Sequence, residues 1–249
     1  MSWAHPKFGH LLASCSFDAK VIVWKEASEG VWQAVYVSQQ LHSASVNACA
    51  WAPHELGLVL AAGSSDGSVS VLTCGADGQW SAAKIERAHA LGVTSLSWAP
   101  AQPPGSLVTP GTGAPLVRRL VTGGCDGAVR IWAWGERAGG WAEEAPPLQG
   151  GHTDWVRDVA WAPNLGMPKN TVASAGQDGR CLIWTQSQPG GPWTPAALPH
   201  AFQAVVWRVS WSVFGNVLAV ADGGGGVTLW KEAADGEWAM VTADAAGGA

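Results

Sequence analysis

Long hydrophobic runs are missing from this chain: nowhere do about 18 apolar residues follow one another, the length a membrane-spanning helix needs. The amino terminus, MSWAHPKFGH, holds no apolar core of the size a secretory leader requires. Membrane association is therefore expected only through a partner. Charge is scarce too. Only 13% of residues are charged, the formal net charge is -5, and no basic cluster is longer than Arg118-Arg119. Neutralising a phosphate backbone takes clustered cations, so direct nucleic-acid contact is not expected. Five cysteines (Cys15, Cys49, Cys74, Cys125, Cys181) lie far apart without a Cys-x-x-Cys pair. That excludes a disulfide framework or zinc spacing and points to buried, reduced thiols. No Asn-x-Ser/Thr sequon occurs.

Tryptophan and glycine are plentiful instead, at 17 and 32 of 249 residues. Nearly half the chain is hydrophobic, which suits one large core joined by tight turns and excludes a mostly disordered chain. Three families of similar segments recur in fixed order. The first comprises VNACAWAP, VTSLSWAP, VRDVAWAP and VWRVSWSV, with Val five residues before Trp51, Trp98, Trp161 and Trp211. The second comprises SFDAKVIVW, SDGSVSVL, CDGAVRIW, QDGRCLIW and GGGGVTLW, ending at Trp24, Leu72, Trp132, Trp184 and Trp230. The third is a Trp shortly beyond each of those ends: Trp32, Trp80, Trp141, Trp193 and Trp238.

Each piece reads as a short β-strand, because β-branched and aromatic runs are bounded by Gly, Pro and Asp. Asp-Gly at 66–67, 126–127 and 178–179 signals a hairpin. One unit is then a four-stranded sheet with strands a to d, and the units recur at close to the WD-repeat period plus loops. The expectation is an all-β, WD-repeat β-propeller with about five blades, at 1–40, 41–87, 88–150, 151–199 and 200–242. Residues 101–119 read as an exposed, mobile Pro/Gly loop, and 243–249 as a flexible tail. The whole of 1–249 is one domain.

Apparent chemistry recurs with the units. His42, His89 and His152 lie four residues before the first-series Val, and Asp18, Asp66, Asp126 and Asp178 six before the second-series end. Ser14, Thr122 and Ser174 precede three of those Asp residues by four. A Ser-His-Asp hydrolase could be drawn from Ser174, His152 and Asp178, but an active site occurs once per domain and this trio repeats. The reading is structural: a hydrogen-bonded network that each unit completes with its Trp (Trp24, Trp132, Trp184, Trp230). In the last unit Gly224 stands where Asp would, leaving that network incomplete and the blade looser. The GGGG run at 223–226 lacks a following Gly-Lys-Ser/Thr and reads as a turn. Glu143-Glu144 reads as a solvated acidic pair at a blade edge. Trp155 and Trp207, beside first-series strands, either complete the core or anchor an interface. No catalytic residue, metal or cofactor is expected.

Several stretches are more specific than the repeat. SWAHPKFGHLLASCSFDAKVIVWKE, WAPHELGLVLAAGSSDGSVSVL, HTDWVRDVAWAPN and VVWRVSWSVFGNVLAV followed by VTLWKE resemble the small WD-repeat subunit shared by the COPII outer coat and the nuclear-pore outer ring, the Sec-thirteen family. The resemblance covers essentially the whole chain. It implies an open propeller of six blades, completed by one blade from an α-solenoid partner. That partner is a nucleoporin of the outer ring or the large COPII outer-coat subunit. The implied role is to stiffen that partner, at the nuclear pore and on vesicles at endoplasmic-reticulum exit sites. Against the family pattern, the sequence starts at the end of a strand a, so the first blade and the start of the second are not expected in it. Trp3, Trp207, Trp211 and Trp230 are the partner-binding candidates. Two alternatives stand beside this: a paralogue of the pore ring and a nutrient-signalling complex, and a propeller glycan hydrolase with carboxylates paired at the axis.

Overall fold

The computed structural model describes residues 1–106, 115–144, 148, 150–163 and 168–241. Its strands form five four-stranded antiparallel sheets, each with its strands in chain order. Blade 1 holds β1 (Ser2–Trp3), β2 (Leu11–Cys15), β3 (Val21–Ser28) and β4 (Val31–Val37). Blade 2 holds β5 (Val46–Trp51), β6 (Val59–Ser64), β7 (Val69–Cys74) and β8 (Trp80–Ile85). Blade 3 holds β9 (Val93–Trp98), β10 (Arg119–Gly124), β11 (Val129–Gly135) and β12 (Gly140–Glu143). Blade 4 holds β13 (Val156–Trp161), β14 (Asn170–Gly176), β15 (Cys181–Gln186) and β16 (Thr194–Ala197). Blade 5 holds β17 (Val206–Trp211), β18 (Leu218–Asp222), β19 (Val227–Glu232) and β20 (Trp238–Met240). The a strands β5, β9, β13 and β17 lie side by side, so the sheets radiate from a common axis as an open propeller. The middle of the 101–119 loop and the 243–249 tail fall outside the described residues.

Alternation along each strand explains the stacking. On the b and c strands, one set of side chains faces the following blade and the other the preceding one. Val121, Val129 and Ile131 of blade 3 pack on Trp161, Val172, Leu182 and Trp184 of blade 4. Ala173, Ala175, Cys181 and Ile183 of blade 4 pack in turn on Val209, Leu218, Val220 and Trp230 of blade 5. Small aliphatics thus look forward and bulky aromatics look back, which lets two sheets mesh without voids. The b–c turns need glycine. Gly67 has φ of 84°, and a Cβ there would sit 2.2 Å from the His89 carbonyl oxygen.

The a and b strands share one irregularity. In blades 2 to 5 the register shifts by a residue just after the first Val, or its partner, leaving Asn47, Thr94, Arg157 and Trp207 as the unpaired residue of a bulge. A bulge re-aims the side chain it releases. All four line one cavity at the mouth of the axis. No helix among the described residues is long and apolar enough to cross a membrane.

Candidate interaction site

Blade 3 carries the fullest form of the repeated polar network. Asp126 Oδ1 lies 2.8 Å from His89 Nδ1, and His89 Nε2 lies 2.8 Å from Thr122 Oγ1, which accepts the Trp132 indole N–H at 2.9 Å. The consistent assignment has His89 donating through Nδ1 and accepting the threonine hydroxyl at Nε2. Blade 4 repeats it: His152 Nδ1 is 3.0 Å from Asp178, its Nε2 is 2.8 Å from Ser174 Oγ, and Trp184 donates to Ser174 at 2.9 Å. The carboxylates also accept backbone N–H groups from both loops they join, Thr153 and Arg180 for Asp178. Burial works against ionisation of Asp126, yet the hydrogen bonds and charge of His89 and the backbone donors outweigh it and hold its pKa at about 2. Asp66 and Asp178 are likewise held below the usual carboxylate value. Burial pushes His42 and His152 below the ordinary imidazole value despite their carboxylate partners. Neutral imidazole between a carboxylate and a hydroxyl is also how a hydrolytic triad looks. Here, however, Ser174 is 0% exposed and its oxygen is occupied by the Trp184 indole. No substrate carbonyl can reach it.

The other units depart from this scheme in informative ways. Blade 2 has Leu72 in place of Trp; His42 Nδ1 stays 3.2 Å from Asp66, and the ring also reaches two hydroxyls on the c side, Ser68 at 3.1 Å and Ser70 at 2.8 Å. In blade 1 Trp24 donates to Ser14 at 2.8 Å, but Asp18 is exposed and serves only its own turn, accepting Lys20 N–H at 3.2 Å. The expectation that Asp18 joins a buried network is corrected: among the described residues no histidine reaches it. Blade 5 is not a damaged network either. Phe202, Val220 and Gly224 occupy the His, Ser and Asp places, Phe202 and Val220 are buried, and the Trp230 indole donates to Thr228 at 2.8 Å. Removing every member avoids stranded polar groups. Asp222, two residues earlier, caps the turn by accepting Gly224 and Gly226 N–H.

The partner-binding candidates divide. Trp211 and Trp230 pack against blade 4, Trp211 donating its indole N–H to the Ala160 carbonyl at 3.0 Å. They are interior residues, because second-series Trp side chains and first-series indoles look back toward the preceding blade. Trp3 is the first-series Trp of blade 1, pairing with Leu12 as Trp51 pairs with Leu60. Trp51, Trp98 and Trp211 each donate to a carbonyl of the preceding a strand (Ser2, Ala50 and Ala160). Among the described residues Trp3 makes no such hydrogen bond; it is 62% exposed and makes an edge contact with Trp32 at 5.5 Å.

The two end faces of the propeller differ accordingly. Blade 1 presents Trp3, Leu12, Ile22, Trp24 and Trp32, all exposed or half-buried. Their blade 4 counterparts Trp161, Val172, Leu182, Trp184 and Trp193 are buried. Blade 5 presents Ala219, Ala221, Val227 and Leu229. Val227 is 62% exposed, against 1% for its counterpart Cys181. Sequence reasoning missed Trp24, Trp32, Val227 and Leu229. The signal was available in the register, since a side chain that meets the next unit everywhere else is unpartnered in the last.

Other expectations need amendment. Glu144 is not a solvated acid: it pairs bidentately with Arg119 at 2.7 Å, and that guanidinium stacks over Trp161 at 4.9 Å. Of the five free cysteines only Cys181 is fully buried. Trp155 and Trp207 are both partly exposed, and the Arg157 guanidinium carbon lies over both rings, 4.9 and 4.6 Å from their centroids. Among the described residues, no carboxylate lines the cavity they share, and no group of three or more metal-ligating side chains comes together.

Comparison with known proteins agrees with this architecture. The family model described as "WD domain, G-beta repeat" matches residues 1–25, 35–72, 80–133 and 146–185. The chain is 48% identical to the "Protein SEC13 homolog" of Drosophila melanogaster, over 97% of its own length and 67% of that protein. It is 53% identical to "Protein transport protein SEC13 homolog A" of Arabidopsis thaliana, over 97% of its length and 78% of the relative. A third relative, "Protein transport protein SEC13" of Mycosarcoma maydis, is 44% identical over 97% and 78%. With its repeated Trp registers and its unpaired end blades, the chain belongs to the SEC13 family of WD-repeat proteins.

Proposed function

We propose that this protein is a non-catalytic scaffold subunit of the COPII vesicle outer coat and of the nuclear-pore outer ring. In both it binds and stiffens an α-solenoid partner that inserts β-structure between blades 5 and 1. The observation that carries the proposal is the Trp3 wall and the opposing Val227–Leu229 wall, more exposed than the same positions in the interior blades, which are buried or half-buried. Exposed apolar sheet faces on this scale mark an interaction surface, and an open sheet stack invites strands from another chain. The names of the relatives, which refer to protein transport, support the coat setting. Work at endoplasmic-reticulum exit sites and the nuclear envelope follows, with the membrane reached through the partner.

Affinity capture of the tagged chain from extract, with mass spectrometry of what is retained, tests this. Recovery of a coat or pore α-solenoid subunit is expected, together with its loss in a Trp3→Glu, Leu229→Glu double variant. Recovery of neither class of subunit refutes the proposal, and the identity of the retained chains separates the coat and pore settings.

A further inference from the structure

The four bulges place Asn47, Thr94, Arg157 and Trp207 around one axial mouth, where a cavity of about 620 Å³ opens. That volume suits a short ligand segment. Two of the four side chains are spent on their neighbours. Asn47 donates to the Val93 carbonyl at 2.7 Å, and Thr94 to the Val156 carbonyl at 2.6 Å. Arg157 is held differently. Its guanidinium lies over both the Trp155 and the Trp207 rings, and its Nη2 donates to Gln177. Its Nη1 has no hydrogen-bond partner among the described residues, and neither has the Trp207 indole N–H. Arg208, 77% exposed along its side chain, lies at the same rim with its Nη1 3.7 Å from the buried Asp158 carboxylate.

Among the described residues the unspent groups named here, Arg157 Nη1 and the Trp207 indole N–H, are donors and no carboxylate lines the mouth, although the chain as a whole carries a net charge of -5. Such a site attracts an anionic acceptor selectively. Stacking has already fixed the rotamer of Arg157, so little further ordering entropy opposes binding. Exposed indoles at the rim and Leu91 beside them supply apolar surface for flanking residues. We infer that this mouth binds an extended acidic peptide of a partner protein. An Asp or Glu carboxylate of the peptide takes the Arg157 Nη1 and Trp207 N–H donors, while neighbouring apolar residues lie on Trp155 and Leu91. The site is separate from the gap between blades 5 and 1 and does not depend on what fills it.

The probes are three fluorescein-labelled pools of ten-residue peptides, degenerate except for a fixed central Glu, Gln or phosphoserine, with binding to the intact chain read by anisotropy. Binding of the Glu pool about tenfold tighter than the Gln pool is expected, the worth of one charge-assisted hydrogen bond. Arg157→Gln should abolish that preference. Because Arg157 also fills space between two indoles, Leu91→Glu serves as a second variant. It alters an exposed loop side chain and places a competing carboxylate in the mouth, so it too should lower Glu-pool binding. Equal binding of the Glu and Gln pools overturns the inference, as does tighter binding of the phosphoserine pool. So does an unchanged Glu preference in both variants.

Discussion

The carboxylate of Asp158, on blade 4, accepts the backbone N–H of Val209, on blade 5, at 3.1 Å. Its other oxygen accepts the hydroxyl of Ser95, on blade 3, at 2.7 Å, and the N–H of Val159 at 3.0 Å. One side chain, 6% exposed, therefore ties three sheets together near the axis. Burial raises its pKa above the usual carboxylate value, against the pull of these donors. Asp158→Ala should cost about 1–3 kcal/mol for each donor left unsatisfied. Asp158→Asn should cost less, since the amide oxygen can still accept from Val209 and its N–H₂ can donate to Ser95. Urea denaturation of both variants checks the order.

Tryptophans of the repeated registers should differ sharply in worth. Trp184 is fully buried between blades 3 and 4, so Trp184→Ala should cost about 3–5 kcal/mol. Trp3→Ala removes a side chain that is largely solvated and should cost roughly 0.5 kcal/mol or less in the isolated chain. Comparable losses in urea titrations of the two variants would contradict the interior and edge assignments.

Acid should weaken the fold in two steps. His42 and His152 have lowered pKa values in the fold, so the unfolded chain binds more protons below the ordinary histidine value near 6.5, and stability falls as pH drops from there. Asp66, Asp126 and Asp178 are also lowered, Asp126 to about 2, so their contribution is present above the ordinary value near 3.9 and is lost as pH falls toward 2. Asp158, shifted the other way, offsets a small part of the loss. Melting temperatures between pH 8 and pH 3 should trace a decline that starts at mildly acidic pH, and His152→Phe should blunt its first step.

The apolar substitute in blade 5 should behave as a set. Phe202→His alone puts an imidazole beside Val220 and Trp230, where the Thr228 hydroxyl is already taken by the Trp230 indole N–H, at a cost of about 1–3 kcal/mol. Adding Val220→Ser supplies a hydroxyl in the place Ser174 holds in blade 4, so the double variant should recover part of the loss. A double-mutant cycle in urea measures the coupling, and strict additivity would refute the idea that these positions form one unit.

The strands were legible because Val-to-Trp spacing and Asp-Gly turns are local signals, and the observed strands β5, β9, β13 and β17 run from that Val to that Trp. The His, Ser/Thr and Asp positions in blades 3 and 4 were legible for the same reason. Four things were not. Asp18 matches the motif, but its solvation depends on a histidine from another segment. Ser68 and Ser70 lie off the motif, and only the absence of Trp at 72 hints that His42 reaches them as well as Asp66. Trp211 and Trp230 look like edge residues by chain position, yet the direction of the side chain, back toward blade 4, decides their burial. Bulge residues escaped notice because a register shift leaves no mark on a hydrophobic pattern.

The sideways asymmetry of every blade has a last consequence. Since indoles always lean one way around the circle and short aliphatics the other, the gap has unlike jaws: a broad aromatic plate on one side and a shallow bed of alanine, valine and leucine on the other. If a partner fills the gap as proposed, the unlike textures of its two walls favour one orientation of the insert over the reverse.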